Sequence, residues 1–424
     1  MNKIERLLHT LAPKGVEFKT LEEVFEIRNG YTPSKNNPEF WKNGTIPWFR
    51  MEDLRENGRI LKDSIQHITP KALKGKKLFP KNSIIISTTA TIGEHALLIV
   101  DSLANQRFTF LSKKANCNLA LDMKFFFYQC FLLGEWCKNN TNVSGFASVD
   151  MTAFKKYKFP IPPLEIQQEI VKILDAFTKL NTELNTELNA RKKQYEYYQN
   201  MLLDFNDINQ SHKDAKEKLA QKPYPKRLKQ LLHTLAPKGV EFRKLGEVCD
   251  FQKGKSITKK AVTFGKVPVI SGGRQPAYYH NEANRSGETI AISSSGVYAG
   301  YVSYWDIPVF LADSFSVSPK QKTLMPKYLF HYLTTQQDAI HATKSTGGIP
   351  HVYSKDLQNF LIPIPPLEIQ QEIVKILDQF SLLTTDLLAG IPAEIKARKK
   401  QYEYYREKLL AFKPLTPLNN KELA

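Results

Sequence analysis

Arginine beside asparagine or glutamine is the side-chain chemistry that reads base edges, because a guanidinium pairs in bidentate fashion with guanine and a carboxamide with adenine. Two stretches of this 424-residue chain hold such residues in loop-like surroundings. In the first stretch the candidates are Lys35, Asn36, Asn37, Arg50, Thr88, Thr89, Arg107, Ser144 and Lys155. In the second they are Lys253, Lys255, Lys259, Lys260, Arg274, Gln275, Tyr279, Ser293, Ser294, Lys344, Ser345 and His351. The cations would supply sequence-independent affinity for phosphate and the polar groups hydrogen bonds to bases. For each residue the competing reading is an ordinary exposed or structural side chain. Trp41, Trp48 and Trp305 are read as packing residues rather than stacking platforms.

Catalytic chemistry is not indicated. Gly254-Lys255-Ser256 ends like a phosphate-binding loop, but Cys249 stands where that motif needs its first glycine. A self-sufficient adenine-amino methyltransferase would show Asn or Asp, two prolines and an aromatic ring; here Pro162-Pro163 lies between Ile161 and Leu164. No H-E-x-x-H motif or nucleophile elbow occurs, and the four cysteines form no C-x-x-C pair and have no companion histidine at zinc spacing. Neither a disulfide framework nor a resident metal or cofactor is expected, and a reducing cytoplasm fits best. The longest apolar run, around Phe125 to Leu133, is far short of a membrane span, and Met1 to Arg6 does not open a signal peptide. A membrane partner is therefore disfavoured.

The means of positioning these candidates is visible in the bulk properties. An apolar share of 42% over 424 residues suffices for two domains with separate cores. The net charge of +18 points to a polyanion, although charge by itself does not separate DNA, RNA and anionic membrane. By segment, residues 19–160 carry +8, residues 243–363 carry +6, and everything else only +4. The excess therefore sits in the two stretches that hold the candidate readers.

Those stretches are bracketed by repeats. Leu7 to Phe18 returns unchanged as Leu231 to Phe242, Ile161 to Asp175 as Ile364 to Asp378, and Ala190 to Tyr198 as Ala397 to Tyr405. Between the repeats both stretches run from a glycine turn (Asn29-Gly30, Lys253-Gly254) to a β-like run ending in small polar residues (Ile84 to Thr89, Thr289 to Ser295). Each then reaches an aromatic helix candidate (Lys124 to Tyr128, Lys327 to Tyr332). One fold used twice is the economical reading; the alternative is two unrelated insertions between duplicated helices.

Pro162-Pro163 and Pro365-Pro366 suit the residues just before a helix. After them, Ile166, Ile170, Ile173, Phe177, Leu180, Leu184 and Leu188 recur at threes and fours, with Tyr195, Tyr198 and Leu202 beyond one gap of seven. This spacing predicts a coiled-coil seam on a helix from Glu165 to about Phe205, roughly 60 Å long. The second copy supplies Ile369, Ile373, Ile376, Phe380, Tyr402 and Tyr405. If a two-fold axis relates the halves, the two helices pack antiparallel and hold the domains apart. Gly390 and Pro392 should kink or interrupt the second helix. Asn181 to Leu184 repeats at once as Asn185 to Leu188, a spacer of adjustable length or simply a helix-compatible repeat. Arg191-Lys192-Lys193 and Arg398-Lys399-Lys400 are read either as phosphate contacts or as solvated or partner-facing helix surface.

In combination, the Ile-Pro-Pro-Leu-Glu-Ile-Gln-Gln-Glu-Ile blocks at Ile161 and Ile364 and the Ala-Arg-Lys-Lys-Gln-Tyr-Glu-Tyr-Tyr blocks at Ala190 and Ala397 carry a resemblance. With Gly30 to Ser34, Ile46-Pro47-Trp48, Ser271-Gly272-Gly273 and Ser293 to Gly296, the chain resembles specificity subunits of type I restriction-modification enzymes over nearly its whole length. The resemblance implies an α+β fold with internal pseudo-two-fold symmetry. Two target-recognition domains of mixed sheet and helices would be separated by two long antiparallel helices forming a coiled coil. The expected division is 1–160 and 243–363 for the recognition domains, 161–210 and 364–424 for the repeated helices, and 211–242 for a linker. It further implies double-stranded DNA as ligand, with an asymmetric bipartite target. Two modification (methyltransferase) subunits and restriction (endonuclease/translocase) subunits would be the partners. S-adenosylmethionine, ATP and magnesium would bind only in those partners. Against this stand a self-contained methyltransferase or nuclease, and an RNA-binding or purely structural coiled-coil protein.

Overall fold

Ile84, Ile85 and Ile86 are all fully buried, because apolar layers cover both faces of their strand: Ile84 and Ile86 point into one core and Ile85 into another. Ile290 and Ile292 face one core of the second half in the same way, with Ala291 turned to the other side. The computed structural model describes residues 3–142, 147–205, 222–320, 322–345, 348–385 and 390–415, and within it the chain divides into two units. Unit 1 comprises residues 1–183 and 396–424, unit 2 residues 184–395.

The two units share one topology. The main sheet of unit 1 is ordered Phe25–Asn29, Phe108–Lys113, Ile84–Ser87, His95–Leu98, Ile60–Leu61. That of unit 2 is ordered Cys249–Lys253, Ser314–Pro319, Thr289–Ser293, Val302–Trp305, with no counterpart of the fifth strand among the described residues. Each unit adds a three-stranded sheet, His67–Ile68, Ile46–Phe49, Leu103–Ala104 in one and Tyr278–His280, Val267–Ile270, Phe310–Leu311 in the other. In each, the strand that begins at the end of the first repeated block pairs antiparallel with the strand before the Pro-Pro pair: Glu17 opposite Ile161, and Glu241 opposite Ile364. Two unrelated insertions would not reproduce this order.

The aromatic helices are Met123–Asn139 and Pro326–Thr335. Asp122 starts the first, its carboxylate accepting the Lys124 N–H at 2.7 Å. Both dock on the repeated helices through the same buried glutamine. Gln167 donates to Ala120 O (2.8 Å) and Pro162 O (2.7 Å) and accepts from Asp122 N (2.8 Å). Gln370 donates to Thr323 O (2.8 Å) and Pro365 O (2.7 Å) and accepts from Met325 N (2.9 Å). About two turns further along the repeated helices, Lys124 and Tyr128 meet Asp175 at 2.5 and 2.6 Å, and Lys327 and His331 meet Asp378 at 2.7 and 3.0 Å. Burial alone would raise the Asp378 pKa, but hydrogen bonds from His331 and Lys327 hold it below the usual carboxylate value.

The first spacer helix runs Leu164–Leu203, 40 residues. In the second copy Leu367–Thr385 and Ile391–Leu410 are separate helices, with Pro392 in the first turn of the latter, where its missing N–H costs nothing. Residues 386–389 lie outside the described set. Helix pairing repeats as well: Phe177 stacks on Tyr405 in unit 1 (centroids 5.7 Å) and Phe380 on Tyr198 in unit 2 (5.1 Å). With Leu410 sharing a core with Ile166, Ile170 and Leu174, and Leu202 with Ile369, Ile373 and Leu377, each pairing is antiparallel.

The seam expected between helices is at its start a contact with a domain as well. Ile166 and Ile170, like Ile369 and Ile373, are completely buried in domain cores, and the next fully buried positions are Leu174 and Leu377 rather than Ile173 and Ile376. At its start each helix packs on a domain and on the end of the facing helix at once, because Leu410 and Leu202 share those cores. Leu184 and Leu188 are half-buried, and Tyr195 and Tyr402 are partly buried against the cores of units 2 and 1. No described helix is long and apolar enough to cross a membrane.

Candidate nucleic-acid interface

In each unit the central strands end in one crest, and a glycine makes its close backbone crossing. A Cβ on Gly30 would lie 2.2 Å from Asn105 O, and one on Gly254 would lie 2.3 Å from Ala312 O. The chain beyond each glycine is pinned by Tyr31 N to Ala104 O and Lys255 N to Leu311 O, both 2.8 Å. Thr88 N donates to Arg107 O (3.1 Å) and Ser294 N to Asp313 O (3.0 Å); Val149 N and Val352 N return to Thr88 O and Ser294 O at 2.9 and 3.0 Å. The crests are therefore two copies of one backbone frame.

On the first crest a cleft of about 410 Å³ is lined by Thr32, Lys35, Arg50, Glu52, Arg55, Thr91, Asn105, Gln106 and Arg107, with Trp48 and Phe108 behind them. Four cations against one carboxylate give it a positive field. Buried Asp53 accepts the Arg50 N–H and the Ile65 N–H at 2.6 Å each, starting the helix Met51–Asn57 that presents Arg55. The Arg50 guanidinium lies 5.9 Å from the Trp48 ring centroid. Asn105 Oδ1 accepts the Arg107 N–H at 3.0 Å, and Thr32 and Gln106 bond side chain to side chain.

On the second crest a cleft of about 350 Å³ holds Lys253, Ser256, Ser294, Asp313, His351, Tyr353 and Lys355. Ser345 clamps the His351 segment, its N–H donating to His351 O at 3.0 Å. Arg274 stands 5.0 and 5.6 Å from the Tyr298 and Tyr301 rings. Arg285 ties the strand ends beneath, donating to Ser316 Oγ (2.9 Å) and the Lys253 carbonyl (2.9 Å), and burial lowers its pKa.

Of the residues singled out in the sequence, Lys35, Arg50 and Arg107 converge on the first cleft and Lys253, Ser294 and His351 on the second, with Lys344 and Ser345 beside His351. Thr88 and Ser293 are buried and their hydroxyls engaged internally, with Thr109 Oγ1 (3.0 Å) and Ser271 O (3.1 Å), so they shape the crest rather than face a ligand. Thr89 forms a β-bridge with Ser148, and Asn37 caps the turn Pro38–Phe40 by accepting the Glu39 N–H. Asn36, Lys155, Lys255, Lys259, Lys260, Gln275 and Tyr279 do not line either cleft. Ser144 lies outside the described residues. Arg55, Asn105, Gln106, Asp313, Tyr353 and Lys355 are not singled out by residue type and spacing; aligning the two crests strand end by strand end is the signal that finds them. Trp48 is buried, and Trp41 packs edge-on against it at 5.0 Å. Among the described residues no His/Cys/Asp/Glu group could hold a metal ion.

A family model for the type I restriction modification DNA specificity domain matches residues 13–193 and again 237–397. The chain is 40% identical over 402 residues to the type I restriction enzyme EcoprrI specificity subunit of Escherichia coli, spanning 91% of this chain and 93% of that protein. It is 33% identical over 316 residues to the EcoR124I/EcoR124II specificity subunit of the same species, with 66% and 71% covered. Among solved structures, an S subunit from M. genitalium shares the fold with a TM-score of 0.57 at 18% identity, covering 93% of this chain and 95% of that one.

Proposed function

The chain belongs to the type I restriction-modification DNA specificity family, and we propose that it is the non-catalytic subunit that gives such a complex its target sequence. Each crest reads one half of a split duplex sequence. Lysines and arginines around the clefts neutralise phosphates, and the side chains projecting from the strand ends meet base edges in the major groove. The two crests carry different side chains on one frame, so the half-sites differ and the target is asymmetric. Residues 1–160 and 243–363 are the reading parts, 161–210 and 364–424 the spacers, and 211–242 the linker.

Methylation and cleavage then fall to partner subunits that bind S-adenosylmethionine, ATP and magnesium. The duplicated helix-to-domain frame presents one surface twice, which suits two modification subunits per copy of this chain, with restriction subunits joining them in the cytoplasm. The observation that carries the reading is the pairing of near-identical supports with divergent crests. To test it, the purified chain is incubated with labelled methyl donor and DNA, with and without modification subunits. Label should enter DNA only when those subunits are present; methylation by this chain alone would overturn the proposal.

A further inference from the structure

Arg107 and Asp313 occupy the same place on the duplicated crest. Each gives its carbonyl to the strand end beyond the buried run, accepting from Thr88 N at 3.1 Å and from Ser294 N at 3.0 Å. Each immediately precedes the residue whose carbonyl accepts from the crest glycine, Phe108 for Gly30 and Ser314 for Gly254. Both side chains are exposed, and neither has an ion-pair partner among the described residues. The Asp313 carboxylate accepts one hydrogen bond, from Ser271 Oγ at 3.1 Å. It stands among Lys253, His351 and Lys355, where a carboxylate only weakens attraction for phosphate.

An ionised carboxylate only accepts hydrogen bonds and a guanidinium only donates them. In the major groove the donors are the exocyclic amines of cytosine and adenine, whereas guanine presents two acceptors. We propose that Asp313 reads an exocyclic amine, of cytosine or adenine, in one half-site, and that Arg107 at the equivalent position reads guanine in the other. The assignment rests on the targeting function proposed above and goes beyond it by naming the discriminating side chains and the hydrogen-bonding sense of the bases they select.

The test uses the full chain assembled with its modification subunits and duplex libraries randomised through both half-sites. Asp313→Ala should erase the preference at one position of a single half-site by roughly 5- to 150-fold, the range one good side-chain-to-base pairing supplies. Arg107→Ala should do the same at one guanine of the other half-site only. Asp313→Asn separates the two amines: a retained adenine preference identifies adenine, and a cytosine preference replaced by adenine identifies cytosine. If Asp313→Ala leaves every position unchanged, or raises affinity for all sequences equally, the inference is wrong although the targeting function stands. If the unsubstituted complex prefers no split sequence, the targeting function itself has failed.

Discussion

Removing one copy of the tandem repeat, Asn185 to Leu188, tests whether the first spacer helix sets the distance between the half-sites. The repeat lies inside the continuous helix Leu164–Leu203 and spans the point, Glu183 to Leu184, where the chain passes from one unit to the other. The nearest well-buried positions of that helix are Leu174 on one side and Gln199 on the other, so the deletion removes no core residue. Four residues shorten a helix by about 6 Å and rotate its remaining C-terminal part by about 40° beyond a full turn. Base pairs rise about 3.4 Å each, so the gap should shrink by one to two base pairs while both half-sites keep their bases. Inserting a third copy should lengthen it equally. Mapping methylated positions in a host carrying the deleted chain and its partner subunits reads the gap directly. An unchanged gap with both half-sites still recognised would show that the helix is not the ruler.

Three further outcomes are expected from the duplicated supports. Gln370→Ala strips three hydrogen bonds from a buried junction and should cost unit 2 about 1–3 kcal/mol in denaturant unfolding, leaving unit 1 unaffected; Gln167→Ala should do the reverse. Gly254→Ala forces a Cβ against a carbonyl oxygen at the second crest, so its complex should lose discrimination in one half-site in a library binding assay and keep it in the other. Because the Asp378 pKa is depressed in the folded chain, its contribution to stability is present above about pH 4 and is lost as the pH falls through the folded value. Asp378→Asn should therefore lower the stability of unit 2 at neutral pH, with the difference from the unsubstituted chain closing in acid, as followed by pH-dependent denaturation.

The supports are legible in the sequence because exact repeats fold alike: identical Gln167 and Gln370, and identical Asp175 and Asp378, make matching contacts in both units. The seam is only half legible, because intervals of three and four describe a helix packing on a domain as well as one packing on a helix; Ile166 and Ile170 share a core with the domain and with Leu410 of the facing helix, whereas Phe177 stacks on Tyr405 of that helix. Crest residues are harder. Thr88 and Ser293 look like polar readers but spend their hydroxyls inside the strand ends. Asp313 runs against the basic bias that marks its segment. Its position beside Ser271, and its correspondence with Arg107, depend on strand crossings that link residues tens of positions apart.

The most direct test of a two-headed targeting subunit is the target itself. Methylated positions mapped genome-wide, in a host expressing this chain with its modification subunits, should resolve to one sequence of two dissimilar half-sites separated by a fixed gap of unspecified bases. A contiguous or palindromic target, or methylation unaffected by deleting this chain, would contradict it.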